Sequence, residues 1–356
     1  MTSYNPDHTS APGETLAELL ETHGMTQAQL AARTGRPKQH INEIIAGKAA
    51  ITHDMAIQLE RSLGVPAAFW NNREARYREQ LARGAEHERL SSQIAWLREF
   101  PLKEMFHWGW LRPVEDKVEQ VRELLNFFGV ASPEQWRDIW GSRQFAYRKS
   151  EAFASRMGAL SAWLRRGELA AREIPCQPYD ETRFRSSFEK LRQLSCSGDP
   201  KEFVPQMTRI CAEAGVAVVF VPELTGCRAS GVTQWLTPEK ALIQLSLRHK
   251  SDDHLWFTFF HEAGHIVLHG KKEVFVEWDT PDSDKEQHAN RFAAETLIPA
   301  PHWRRIRSLG RYSKALVRSL AAEAGVSPGI VVGRLQHDKL LPLSHCNDLK
   351  RRYEFK

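Results

Sequence analysis

The sequence predicts a mainly α fold with a small β-sheet (α+β), and three observations point that way. Apolar residues at helical spacing, bounded by recognisable caps, recur through most of the 356 residues. Strand signals are confined to one stretch: Gly215-Val-Ala-Val-Val-Phe-Val221 and Ala241-Leu-Ile-Gln-Leu-Ser-Leu247 read as buried strands, with Gly226 to Thr237 supplying a connecting strand or turn. A strongly apolar helix, Leu255 to Leu268, comes directly after them, so a small sheet lying over that helix is expected. A chain of this length suggests two or three domains with adequate cores. The expected segments are 10–80, a helical connecting region at 85–182 and a domain at 188–345, with 312–340 as a possible second helix-turn-helix-like subdomain of the last.

From Gly13 to Gly64 the chain reads as short helices broken at regular intervals. Thr26 caps Gln27-Ala-Gln-Leu-Ala-Ala-Arg-Thr34, Gly35 turns the chain, and Pro37 takes a first helical position before Lys38-Gln-His-Ile-Asn-Glu-Ile-Ile-Ala46. Gly47 ends that helix and Thr52 begins the next. Two short helices joined at a glycine turn make the helix-turn-helix unit, whose second helix can enter the major groove of DNA. Any small helical bundle shows similar stripes. In the DNA-binding reading Ala28, Leu30, Ala31, Ile41, Ile44 and Ile45 hold the helices together. Lys38, Gln39, Asn42 and Glu43 then face the bases, and Gln27, at a helix start, bonds a phosphate.

Pro12-Gly-Glu-Thr-Leu, Gly47-Lys-Ala-Ala-Ile-Thr-His-Asp-Met-Ala and Gly64-Val-Pro-Ala-Ala-Phe-Trp70 resemble the Cro/C1-type (XRE) helix-turn-helix domain, in particular HigA-like antitoxins, over residues 10 to about 80. The resemblance implies a homodimer on double-stranded operator DNA with an inverted repeat. Arg36 departs from it, standing where Ser or Thr commonly caps the recognition helix, and leaves base specificity open. Charge does not single this region out. The total is +5, but Pro301 to Lys356 hold twelve Lys and Arg against four Asp and Glu, a balance of +8, so the first 300 residues carry −3. Phosphate contacts by the helix-turn-helix would rest on a few placed residues and backbone N–H groups.

Between about Ala85 and Thr182 the chain is helical and aromatic, with Trp96, Phe100, Phe106, Trp108, Trp110, Trp136, Trp140 and Trp163. A ligand pocket is conceivable; core and inter-domain packing is the simpler expectation. Pro175-Cys-Gln-Pro178 is the linker candidate.

The chemistry concentrates at His261-Glu262-Ala263-Gly264-His265. On a helix, His261 and His265 stand one turn apart on one face, the reach needed to hold one zinc ion, and Glu262 lies one step round, where it can take a proton from a metal-bound water. Ser251-Asp252-Asp253 suit the start of that helix, and Gly270 with Lys271 and Lys272 suit its end. The alternative is a pair of core histidines bonded to carbonyls. After an acidic, turn-rich loop from Glu277 to Asp284, Ala289, Phe292, Ala293 and Leu297 form a helical stripe that Pro299 halts. Glu286 and Asn290, themselves four apart, can face the metal helix together. Glu286 is the candidate third ligand, and Asn290 would accept from the far ring nitrogen of a metal-bound histidine. His288 points elsewhere. Two His, one Glu and a water leave the open position of catalytic zinc and suggest metal-assisted peptide hydrolysis, with Glu262 as general base. An extended peptide could add to an edge of the small sheet.

Trp256-Phe-Thr-Phe-Phe-His-Glu-Ala-Gly-His-Ile-Val-Leu-His269, Glu286-x-x-Ala-Asn-x-Phe-Ala-Ala and Leu-Ile-Pro299 resemble the ImmA/IrrE family of zinc metallopeptidases, from about Phe188 to the C-terminus. The resemblance implies a small gluzincin-like fold, the zinc ligands His261, His265 and Glu286 and the base Glu262. It also implies a protein target, since members cleave helix-turn-helix repressors and so switch on stress or mobile-element genes. Ala315 to Leu335 reads as helix, Gly325 turn, helix: either a second DNA-contacting unit or a helical subdomain that frames the peptidase cleft. His254, His302 and Tyr312 are candidates to stabilise an oxyanion.

Composition narrows the setting. No signal peptide or membrane-spanning apolar run is visible, and Cys176, Cys196, Cys211, Cys227 and Cys346 are odd in number and widely spaced, as reduced cytoplasmic thiols would be. No phosphate loop of the G-x-x-x-x-G-K type and no solenoid repeat occurs. Three functions fit: a DNA-bound regulator whose zinc peptidase cuts a repressor, a toxin partner or itself; a HigA-like antitoxin or repressor whose zinc-bound domain is a sensor or interaction module; or a protease using the helix-turn-helix for protein contact alone.

Overall fold

The computed structural model describes residues 10–142, 151–269, 275–276 and 284–355. Gly270 to Lys272, and Glu277 to Ser283 of the acidic loop, lie outside the described residues. The chain divides into two compact units, Met1–Ile94 and Ala95–Lys356.

The first unit is helical: α1 (Pro12–Thr22), α2 (Gln27–Thr34), α3 (Lys38–Ile45), α4 (His53–Leu63) and α5 (Ala67–Ser92). Its boundaries reflect local chemistry. The Thr26 hydroxyl accepts from Gln29 N, and the Gln29 side chain accepts from Thr26 N, a reciprocal cap that starts α2. The Thr52 hydroxyl accepts from Met55 N at the start of α4, a one-way cap. Gly35 and Gly64 end α2 and α4 in the left-handed conformation that needs no Cβ. Pro37 is the N-cap of α3, one step before the first helical position expected for it. Leu30, Ala31, Ile41 and Ile44 are buried with Leu16, Met55, Leu59 and Trp70, and Ile45 packs against them; Ala28 faces solvent and takes no part. The α1–α3 crossing depends on Gly13, where a Cβ would run into the Ile44 carbonyl oxygen and lie 2.7 Å from Ile45 Cα. Because those neighbours are backbone, Gly13→Ala should destabilise this unit by about 1–3 kcal/mol. Calorimetry of the full chain should show the transition of the first unit lowered and that of the second unmoved; an unshifted first transition would contradict this packing.

The second unit begins with α6 (Leu102–His107), α7 (Lys117–Phe128), α8 (Pro133–Ser142) and α9 (Glu151–Arg172). Trp96, Phe100, Phe128 and Trp136 form a cluster of mutually edge-on or tilted rings, joined by Trp140, so these aromatics are core packing. The helical region is bonded directly to strand-bearing backbone further along the chain. Trp163 Nε1 of α9 donates to the Val221 carbonyl (3.1 Å), and Gln244 Nε2 donates to the Trp163 carbonyl (2.8 Å). Pro175 to Pro178, the expected linker, is tied down: Gln177 N donates to Ala212 O and Tyr179 N to Glu239 O.

Next come α10 (Glu181–Ser186), α11 (Phe188–Leu194), α12 (Pro200–Ala212), β1 (Val216–Phe220), β2 (Gly231–Thr237), β3 (Lys240–Leu245), α13 (Asp252–Leu268), β4 (Phe275–Val276) and α14 (Asp284–Leu297). The chain closes with α15 (Ala300–Ser308), α16 (Lys314–Ala324) and α17 (Pro328–His337). The sheet order is β1-β3-β2-β4, with β1 parallel to β3 and β2 antiparallel to both β3 and the two-residue β4. This is the mainly α, small-sheet fold expected. The sheet edges are β1 and β4. Beneath the sheet lies α13, and its Trp256, Phe259, Phe260 and Ala263 join Val216, Val218, Ile243 and Leu245 in one core.

Helix α17 packs on α13 and is largely buried, through Ile330, Val331, Val332 and Leu335. The apolar side chains of α17 are therefore engaged in this core. Gly329 and Gly333 of α17 lie against Asp252 and Asp253 at the start of α13, where a Cβ would come within 2.7 Å of Asp252 Cγ and 2.5 Å of Asp253 Oδ2. Asp252 accepts from the Ser327 hydroxyl (2.8 Å) and Arg351 N (3.1 Å), and Asp253 pairs with Lys350 Nζ (2.6 Å). Burial pushes the Asp252 carboxyl up, with its hydrogen bonds opposing the shift. No single helix among the described residues is long and apolar enough to cross a membrane. All five cysteines are free thiols.

Candidate metal centre

Helix α13 is apolar around most of its circumference, so its histidines are carried into the core: His261 is 1% and His265 2% exposed. Their spacing puts both rings on one face, with the two Nε2 atoms 2.9 Å apart. Helix α14 crosses that face closely because the residues at the crossing are small. Gly264, between the two histidines, meets Ala289 and Phe292: a Cβ on it would lie 3.3 Å from Ala289 Cα and 3.0 Å from Phe292 Cδ1. Ala289 and Ala293 are fully buried there, and His288 is exposed.

The crossing brings Glu286 to the histidines. Its Oε2 lies 3.1 Å from His261 Nε2 and its Oε1 3.4 Å from His265 Nε2. One turn on, Asn290 Oδ1 lies 3.0 Å from His261 Nδ1. That bond places the His261 proton on Nδ1 and turns the Nε2 lone pair toward Glu286 and His265. On the other side, His265 Nδ1 lies 3.0 Å from His269 Nδ1.

The arrangement fits a divalent cation. A donor atom from each of His261, His265 and Glu286 lies within 4.8 Å of the others. Lone pairs so close repel unless a cation or a shared proton lies between them. Burial would raise the Glu286 carboxyl, but the His261 and His265 rings beside it outweigh that and hold it at about 2. Burial lowers the His265 imidazole, against the pull of Glu286. An ionised Glu286 carboxylate and a neutral His265 imidazole are protonation states a metal ligand needs. Two nitrogens and one carboxylate oxygen suit zinc with an open position.

Glu262 points from the same turn toward the sheet. It is 0% exposed, and its Oε2 accepts from the Thr233 hydroxyl at 2.7 Å. His254 stacks on His249 near the start of α13, ring centroids 4.2 Å apart, and the Tyr312 hydroxyl donates to the Ile306 carbonyl. His302 is half-exposed on α15.

Comparison with known families divides the chain in the same way. Residues 218–336 match the model of peptidase family M78, described as the IrrE N-terminal-like domain, and residues 16–70 match a helix-turn-helix model of the XRE type. The chain joins a helix-turn-helix domain to an IrrE-like peptidase domain. Similar solved structures are antidote proteins matched over about a quarter of this chain. One is a HigA-family addiction module antidote protein from Coxiella burnetii, 28% identical over 24% of this chain and 94% of that chain, TM-score 0.22. Another is a putative antidote protein of a plasmid maintenance system from Nostoc punctiforme, 30% identical over 24% and 93%, TM-score 0.23. A third is Pseudomonas aeruginosa antitoxin HigA with the higBA promoter, 30% identical over 23% and 90%, TM-score 0.22. No curated protein matches the chain.

In the helix-turn-helix domain Lys38, Gln39 and Asn42 are exposed on α3, and Glu43 is half-buried, accepting from Gln39 Nε2 at 3.0 Å. Gln27, half-exposed, opens α2. Arg36 is turned aside, its Nε donating to Gln58 Oε1 (2.9 Å). Two residues beside the donor cluster were not among the expected site residues. His269 carries a legible signal, because it continues the four-residue spacing beyond His265. Thr233 carries none, since only the sheet brings it to Glu262.

Proposed function

We propose that the chain is a DNA-binding transcriptional regulator whose IrrE-like domain, at about 188–345, is a zinc-dependent endopeptidase acting on a specific protein: a repressor, a toxin partner or the chain itself. The convergence of His261, His265 and Glu286 on one point, with Glu262 on the adjoining face of the same turn, carries this reading. Zinc held there would polarise a peptide carbonyl and bring the pKa of a bound water to about 7. The residues do the rest. Asn290 and His269 orient the two imidazoles through their far nitrogens. Glu262 accepts the proton of the attacking water and returns it to the leaving amine. The apolar core around α13 keeps bulk water from the donor atoms.

The helix-turn-helix domain, at about 10–80, binds double-stranded operator DNA as a homodimer in the cytoplasm, with Lys38, Gln39, Asn42 and Glu43 toward the bases and Gln27 on a phosphate. Replacing Gln39 and Asn42 by alanine together should weaken operator binding by roughly 1–3 kcal/mol for each side chain that reads a base, and leave zinc content unchanged. Unaltered binding in a gel-shift or anisotropy titration would contradict the assignment.

The complete burial of Glu262 favours a second reading, a HigA-like antitoxin or repressor whose zinc-bound domain is a sensor with little turnover. Comparing the proteins of cells carrying wild type and Glu262→Gln separates the two. The peptidase reading expects one or a few proteins to accumulate in the variant, and identical protein levels with intact regulation would leave the sensor reading standing.

A further inference from the structure

The Glu262 carboxylate is held from outside its own helix. A glutamate side chain has three rotatable bonds, and a helix fixes little beyond the first, so a carboxylate aimed at one point needs a partner elsewhere. Strand β2 supplies it twice. Gly231 and Thr233 are two residues apart and therefore present to the same face of the sheet, the face that meets α13. The Thr233 hydroxyl, on a residue 1% exposed, lies 2.7 Å from Glu262 Oε2 and 2.9 Å from the Glu262 carbonyl oxygen. A hydroxyl has one proton to give, and the carbonyl sits within the hydrogen-bond ladder of α13, so the nearer carboxylate oxygen is its acceptor. At Gly231 a Cβ would lie 2.7 Å from Glu262 Oε1, 2.9 Å from its Cγ and 2.6 Å from Thr258 Cγ2. Only a residue without a side chain leaves room for the glutamate there.

We propose that Gly231 and Thr233 form a bracket that fixes the Glu262 carboxylate beside the donor cluster, with Thr233 as the positioning residue for the base. The bracket is part of the sheet: Thr233 is paired with Ile243 of β3 on one side and Phe275 of β4 on the other, so its hydroxyl is carried by backbone that is pinned from both edges. This inference rests on the peptidase reading of the site.

The test uses the zinc-loaded full chain and acetohydroxamic acid, a small metal-chelating probe whose N–O–H group hydrogen-bonds a carboxylate standing beside the metal. Binding is followed by calorimetry and zinc by elemental analysis. Thr233→Val keeps the shape and removes the hydroxyl; it should retain zinc and bind the probe roughly tenfold or more weakly, the loss expected for a hydrogen bond to a charged group. Thr233→Ser, which restores the hydroxyl, should bind nearly as wild type does, and Gly231→Ala should behave like Thr233→Val. A Thr233→Val protein that keeps zinc and binds the probe as tightly as wild type would overturn the proposal. So would one that loses its zinc, because Thr233 would then be supporting the cluster and not the base. A wild type that takes up no zinc contradicts the metal reading and the bracket's role with it, so zinc content tells the two failures apart.

Discussion

In the Glu262→Gln protein, hydrolysis of the target should fall by roughly 10²–10⁴-fold, the usual worth of a positioned general base, while zinc content and operator binding stay at wild-type levels. The separation is a matter of geometry. His261, His265 and Glu286 meet through their own ring nitrogens and carboxylate oxygens, and the Glu262 bond from Thr233 can still be accepted by an amide oxygen. The protein that accumulates in cells carrying this variant supplies the substrate for the measurement in vitro. Undiminished cleavage would remove Glu262 from the chemistry.

The second large effect is expected where no ligand is touched. Gly264→Val should cost the centre its metal, with affinity falling by roughly ten- to a hundredfold, as when ligands lose their orienting partners. The two methyl groups would press on Ala289 and Phe292, the residues that let α14 lie so close to α13. Moving α14 outward carries off Glu286 and Asn290 together. Gly264→Ala is the control. Its single Cβ would meet Ala289 Cα at 3.3 Å and Phe292 Cδ1 at 3.0 Å, contacts a small shift relieves, and alanine gains helix propensity of about 1 kcal/mol. It should therefore keep most of its zinc. If valine is tolerated as alanine is, the close crossing of α13 and α14 does not set the metal site.

The two mutations mark what was legible in the sequence. Spacing along a helix is a local property, so His261 with His265, and Glu286 with Asn290, were readable as pairs, and Asn290 lies against the far nitrogen of His261. Strands β1 and β3 and the caps at Thr26 and Thr52 were legible for the same reason, whereas β2 was legible only as a strand or turn. Whatever depends on distant segments was not. Thr233 sits in an ordinary β-branched run and gains its meaning only when β2 crosses α13. The helix–Gly325–helix segment reads the same in sequence whether its second helix faces DNA or a core, and the packing of α17 on α13 is visible only in the fold. Ala28 failed on helical phase: it lies on α2, but on the solvent side of Leu30 and Ala31.

The proposed chemistry requires His261, His265 and Glu286 to hold a single zinc ion. Elemental analysis of the purified full chain and of its Glu286→Ala variant tests it most directly. About one zinc per chain in the wild type, and a variant that gives up its zinc to a mild chelator that the wild type withstands, are predicted. A wild type without zinc, or a variant that holds it as firmly, would contradict the account.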